Sequence, residues 1–319
     1  MSHHGTSTRP TTSFTWGHGF RTRLAGMLRI VWGIERSITG FSEEEVKSMR
    51  ILDLKAIFAE LVGTMLLILI GCGVACAYGP SDGQTRLLVA LAFGGGVMAI
   101  AYAIGHHSGG QLNCAVTFSL VCGGAVPWYQ GLGNFVAQML GSVLGAIILC
   151  GIYPCEEDKT GSLASNMPAP GYEEWRVLFG EIFGTFMLCF TVWECAVTPA
   201  ASCGKNVCLA IGGAVFVNVL ILLPVDGCSL NPNRSFGPAV VSALRGCSNY
   251  QEGGLEALWM MFLGPLLGGL LAALMQRPLQ PDKAIFSGEE TVDSPRNEEP
   301  SGQPEDALKD VPPERIESM

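Results

Sequence analysis

Apolar residues gather into six long runs: Leu54–Tyr78, Leu87–Gly105, Trp128–Tyr153, Trp175–Thr198, Val207–Val225 and Leu255–Met275. Each approaches the roughly 20 residues that an α-helix needs to cross a bilayer, so the pattern predicts six spans. Two shorter apolar stretches, Cys114–Gly123 and Pro232–Leu244, are too short to cross and read as re-entrant half-helices or interfacial pieces. Each follows directly on an asparagine: Asn113 in "SGGQLNCAVT" and Asn231 in "DGCSLNPNRS". The runs divide the chain into a leader (residues 1–53), a membrane domain (54–275) and a tail (276–319). In the leader, "FRTRLAGMLRIVWGIERSITG" sets four arginines among apolar residues, which suits an amphipathic helix on a membrane surface as well as a solvated segment. The tail is acidic, rich in Pro, Glu and Ser, and expected to be disordered.

The two halves repeat. "AELVGTMLL" (Ala59–Leu67) matches "GEIFGTFML" (Gly180–Leu188), with Glu60 and Glu181 in register, and the two asparagines keep nearly the same spacing. Three spans per half is an odd number, so the second half must be inserted upside down relative to the first. The expected fold is therefore an all-α membrane protein: six transmembrane helices and two re-entrant half-helices in an inverted repeat. The short segments would enter from opposite faces and bring their N-termini together near the midplane. Irregular backbone at that depth is tolerated only inside protein or along a water-filled cavity. A helix N-terminus carries unpaired N–H groups and partial positive charge. Asparagine caps it through its carbonyl and leaves an amide N–H₂ as a donor. Two such donors would hold a water oxygen, and the positive helix ends would oppose cations, protons included. A lone asparagine in this position is usually only a cap; its duplication in opposed halves argues for more.

Composition agrees with a membrane chain. Charged residues make up 15% of the sequence, hydrophobic residues 49%, and there are 41 glycines; a soluble domain carries about 25% charged residues. The net charge of −9 lies largely in the tail. Of the twelve cysteines, most sit in apolar runs as small hydrophobes. Cys155 and Cys247 could pair if their loops meet, but a free thiol is the favoured reading for each. Cys72 and Cys76 lack the further ligands that a metal site would want, and no cofactor is expected. His106 and His107 have no carboxylate or cysteine at useful spacing, which argues against an enzyme; they would line a vestibule or sit at a membrane interface. Nothing suggests nucleic-acid binding. A secondary transporter would want ionisable groups at the midplane, where amides, a thiol and glycines stand instead. Lys47, Arg50 and Lys55 precede the first span, whereas Pro154–Glu174 holds five acids and one lysine. The positive-inside rule then puts that loop outside and both termini in the cytoplasm.

The motifs resemble those of the aquaporins, the major intrinsic protein family. "SGGQLNCAVT" is similar to the first signature, SG-x-H-x-NPAVT, and "NPNRSFGPAVV" to the second, NPARSFGPA. "AELVGT", "GEIFGT" and "GPLLGG" resemble the starts of the first and fourth spans and part of the sixth. The resemblance covers Leu54–Met275 and implies a homotetramer in the lipid bilayer, one pore per subunit, passing water and small neutral solutes. It puts Asn113, Cys114, Ala115, Asn231, Pro232 and Asn233 at the pore midplane. Cys114 stands where the family has proline, and Asn233 where it has alanine. The outer constriction falls on Phe93, Val219, Cys228 and Arg234. Arg234 is also a charge inside a membrane segment and so a functional candidate in its own right, with a structural ion pair to Asp226 as the alternative. Val219 replaces the histidine of water-selective members, which widens the constriction toward ammonia, hydrogen peroxide, urea or glycerol. Ser235 and Ala239 stand where glycerol channels carry an acid and a base. Glu60 and Glu181 would accept from the backbone entering the half-helices; a proton relay is the other reading. A non-conducting scaffold or adhesion protein is the remaining alternative.

Overall fold

The structure is a computed structural model, and it describes residues 52–198, 201–248, 250 and 252–279. The amphipathic leader and the acidic tail expected from the sequence lie outside the described residues, apart from the leader's last two positions and the tail's first four. Six helices are long and apolar enough to span a membrane. They are α1 (Leu54–Tyr78), α2 (Gly83–Ser108), α4 (Trp128–Ile152), α5 (Glu174–Val192), α6 (Val207–Asp226) and α8 (Leu258–Leu279). Two short helices, α3 (Cys114–Cys122) and α7 (Pro232–Arg245), follow the two asparagines. No strand occurs among the described residues.

Differences from the expected boundaries have local causes. Helix α2 starts four residues early because Asp82 and Thr85 form a reciprocal capping box over a polar first turn. It ends late, on His106, His107 and Ser108, before a left-handed Gly109. Helix α8 continues through Pro278 to Leu279, so the expected tail begins inside it. The fourth span finishes in a π-helical turn, Trp193–Val197, with the Trp193 indole buried and its Nε1–H donating to Ser119 Oγ at 3.0 Å.

Packing follows the repeat. Helix α1 lies along α4 as α5 lies along α8, and α2 crosses α6 where the halves meet. Each half-helix also packs on the last span of the opposite half: α3 on α8, and α7 on α4. Glycines permit the close approaches. A side chain on Gly141 would strike the Leu61 carbonyl, and one on Gly268 the equivalent Ile182 carbonyl. Between α2 and α6, a Cβ on Gly94 would stand 2.8 Å from the Gly212 oxygen, and one on Gly212 would stand 2.6 Å from the Gly94 oxygen. With little hydrophobic drive between helices in lipid, such backbone contact is a main source of association. Polarity is turned inward. Glu60, Asn134, Gln138 and Glu181 are buried, while Leu132, Leu140, Ile147, Phe179 and Phe183 are exposed along the helix flanks. A lipid solvent selects that distribution. The chain is an integral, multi-pass membrane protein.

Candidate functional site

The two half-helices meet N-terminus to N-terminus, and the buried glutamates organise the approach. Glu60 Oε1 accepts from Gln111 N–H at 2.9 Å and Ser108 Oγ–H at 2.5 Å. Its Oε2 accepts from Leu112 N–H and Gln138 Nε2–H, both at 2.7 Å. Glu181 does the same in the second half, accepting from Ser229 N–H at 2.8 Å and Leu230 N–H at 2.6 Å. Leu112 and Leu230 both adopt φ +55°, a left-handed conformation that costs a non-glycine residue roughly 1–2 kcal/mol. The carboxylate bonds hold each leucine in it.

Beyond those leucines the asparagines exchange partners. Asn113 Nδ2–H donates to the Leu230 carbonyl at 2.8 Å, and Asn231 Nδ2–H donates to the Leu112 carbonyl at 3.0 Å. An amide nitrogen has two protons, so each asparagine keeps a second donor beside the cavity that both line. Asn113 Oδ1 caps α3 by accepting from Ala115 N–H at 2.8 Å and Val116 N–H at 3.4 Å. The expected mirror-image cap does not form: Asn231 Oδ1 has no hydrogen-bond partner, although its backbone carbonyl accepts from Ser235 N–H.

The two departures from the family pattern answer each other. Cys114 contributes an N–H that proline would lack, and Asn233 Oδ1 accepts it at 2.8 Å. Asn233 Nδ2–H reaches back to the Leu112 carbonyl at 3.3 Å. Ser142 Oγ–H donates to the Asn233 carbonyl, and Gly237 N–H donates to Ser142 Oγ. Cys114, Ala115, Pro232 and Asn233 are fully or nearly fully buried and do not line the cavity; of the six residues expected at the midplane, only Asn113 and Asn231 do.

A cavity of about 560 Å³ runs from Arg234 and Phe93 past both asparagines to Ala125, Val197 and Val207. Its walls are largely apolar. All four residues expected at the constriction line it: Phe93, Val219, Cys228 and Arg234. The Arg234 guanidinium lies 4.8 Å from the Phe93 ring centroid, a cation–π contact. Its Nη1–H donates to the Ala164 carbonyl at 2.7 Å. Arg234 is in no ion pair among the described residues, so the pairing with Asp226 does not form. Asp226 Oδ1 instead accepts from Cys228 N–H at 2.9 Å and holds that residue at φ +55°. His106 and His107 lie at the exposed end of α2 with ring centroids 3.8 Å apart and do not line the cavity.

Cys155 and Cys247 form a disulfide, against the expectation of free thiols. The cause is local. Arg245, the last residue of α7, donates to the Tyr153 carbonyl and pairs with Asp158 at 3.6 Å, which ties the two loops to each other. The cysteine Cα atoms are then 5.6 Å apart, an ordinary bridging distance. Asp158, Ala164 and Arg245 were not singled out from the sequence. The available signal was two cysteines on loops that the inverted repeat assigns to one face.

An inverted repeat of membrane helices, with two half-helix ends facing an apolar-walled cavity, defines a class of transmembrane channel. Residues 45–276 match the family described as Major intrinsic protein, and this chain belongs to that family. Among its relatives, the Probable aquaporin TIP2-2 of Oryza sativa subsp. japonica is 36% identical over 232 residues, covering 70% of this chain and 86% of the relative. Aquaporin-5 of Homo sapiens is 33% identical over 222 residues, covering 70% and 79%. The lens fiber major intrinsic protein of Lithobates pipiens is 33% identical over 264 residues, covering 78% and 93%. The X-ray structure of the aquaglyceroporin from Plasmodium falciparum superposes with a TM-score of 0.61 at 20% identity, over 71% of this chain and 98% of that one, and shares its fold.

Proposed function

We propose that this protein is a passive pore that carries water in single file and excludes protons and ions. The observation that carries the reading is the exchange of Asn113 and Asn231 onto the Leu230 and Leu112 carbonyls, which leaves each half one further amide proton on a residue that lines the cavity. Two donors meeting one water oxygen turn its hydrogens outward, so a file of waters has opposite orientations on the two sides. The half-helix N-termini add positive potential there, and Arg234 adds a full charge at one end. Cations meet both barriers, while water loses few hydrogen bonds. Arg234 Nη1 is committed to Ala164 and its Nε is buried without a hydrogen-bond partner, while the residue itself lines the cavity that passing oxygen atoms would cross. Glu60 and Glu181 are structural acids in this reading, their oxygens engaged by backbone N–H groups.

A second reading rests on Val219. A short apolar side chain on the wall of the cavity that Phe93 and Arg234 also line neither narrows the passage nor supplies a hydrogen bond. That favours co-permeation of small neutral solutes such as ammonia, hydrogen peroxide or urea. The orientation supported by the basic residues before α1 puts both termini in the cytoplasm and the disulfide-linked loops outside, where an oxidising compartment would preserve the bond. The assembly proposed is a homotetramer with one pore per subunit. Osmotic shrinkage of proteoliposomes tests the water reading, and the same vesicles under urea or ammonia gradients test the second.

A further inference from the structure

Arg234 is held by a carbonyl on a loop, and the loop has its own anchorage. Ala164 and the residue before it, Leu163, are both left-handed, at φ +58° and +52°. Neither is glycine, so the turn that presents the Ala164 carbonyl needs external support. Asp158 supplies it. Its Oδ2 accepts from Leu163 N–H at 2.9 Å, and its Oδ1 accepts from Thr160 N–H at 3.0 Å and Thr160 Oγ1–H at 2.6 Å. Thr160 Oγ1 in turn accepts from Ala164 N–H at 2.8 Å. Asp158 is itself 4% exposed and faces Arg245 at 3.6 Å. Two residues further on, Cys247 is bonded to Cys155.

The connections close a ring. Helix α7 begins by placing Arg234 against the Ala164 carbonyl and ends by placing Arg245 against Asp158. We propose that Asp158 is a positioning residue for the constriction: with Arg245 and the Cys155–Cys247 bond, it sets where the Arg234 guanidinium stands and so how large a neutral solute passes. The inference rests on the pore reading above and adds a control element to it. Without the Asp158 acceptors the Leu163–Ala164 turn relaxes, the carbonyl leaves Arg234, and the guanidinium gains freedom to swing from the Phe93 ring. Opening the disulfide removes the outermost of these supports and acts in the same direction, more weakly.

Asp158→Asn and Asp158→Ala, checked for folding and assembly by size-exclusion chromatography, are compared with wild type in proteoliposomes for water and glycerol flux. The expected result is a rise of about threefold or more in the glycerol-to-water permeability ratio. In an Arg234→Val background the same substitutions should change the ratio little, because the group they position is gone; a merely structural role would act equally in both backgrounds. Cys155→Ser with Cys247→Ser should raise the ratio by less. A second readout needs no conduction: Cys228 lies beside Arg234, and its labelling rate with a small membrane-impermeant methanethiosulfonate, read by mass spectrometry, should rise in the Asp158 variants. An unchanged ratio and an unchanged labelling rate in folded Asp158→Asn overturn the proposal. A wild-type protein that passes no water would overturn the pore reading instead, and the labelling comparison would still decide whether Asp158 positions the constriction.

Discussion

The backbone N–H of Cys114 donates to Oδ1 of Asn233 at 2.8 Å, across the junction of the two halves. One residue brings a donor that proline would not have, and the other brings the acceptor. Each alone would be a defect at a buried site: Cys114 would strand an N–H, and Asn233 would bury an amide. Together they stitch α3 to α7, and neither lines the cavity, whereas Asn113 and Asn231 both do.

The pair is expected to be coupled. Asn233→Ala should destabilise the folded protein by about 1–3 kcal/mol, the usual cost of orphaning a buried donor. Proline suits the first position of a helix, so Cys114→Pro should recover most of that loss in the Asn233→Ala background. Thermal unfolding of the four proteins of a double-mutant cycle in detergent measures it. Additive effects would show that the contact carries no energy.

The buried acids should differ in weight. Glu60 accepts four hydrogen bonds and Glu181 accepts two from the backbone. Hydrogen bonds to a charged group are worth about 1.5–3 kcal/mol each, so alanine at either site should be severe. Glu60→Ala is expected to lose more folded protein than Glu181→Ala when the fractions recovered from membranes are compared. A proton relay would predict the contrary pattern, good folding with altered transport.

Val219→His should restore a polar, bulkier wall beside Arg234. Urea and glycerol flux should fall by about tenfold relative to water, the effect of a barrier rise of roughly 1.4 kcal/mol. Solute-gradient light scattering gives the ratio; parallel changes in water and solute flux would place the size limit elsewhere in the cavity.

Cys228 lines the cavity next to Arg234, so a mercurial bound to its sulfur should obstruct flux. Cys228→Ser should resist that block, whereas Cys208→Ser, at the far end of the cavity, should remain sensitive. Recovery after adding excess thiol distinguishes occlusion from denaturation.

The spans were legible because a bilayer imposes a length on apolar runs, and the half-helices because Asn113 and Asn231 punctuate runs too short to cross. The inversion followed from counting three spans between matched glutamates. Helix ends were less legible: Gly83, Gln84 and Thr85 belong to α2 through a capping contact rather than through hydrophobicity, and Trp193 sits in a π turn that leaves no periodic signature. The constriction residues came from the resemblance, and all four do line one cavity. What stayed hidden depends on contacts between distant segments. Cys114 and Asn233 read as two separate departures from the family pattern, since nothing in a linear reading sets one amide against the other's N–H. The Asp158–Arg245 contact and the disulfide likewise need two loops brought together by the packing of α7 on α4. Asn231 shows the reverse case: its position promised a cap like that of Asn113, yet its Oδ1 makes no hydrogen bond.

The most direct test is stopped-flow light scattering of proteoliposomes under an osmotic gradient, with protein-free liposomes as reference and a pH-sensitive dye reporting proton flux in the same vesicles. The account predicts rapid shrinkage with a low activation energy and no proton flux above the reference. Shrinkage no faster than the reference, with folded protein in the bilayer, would contradict it, as would water flux accompanied by protons.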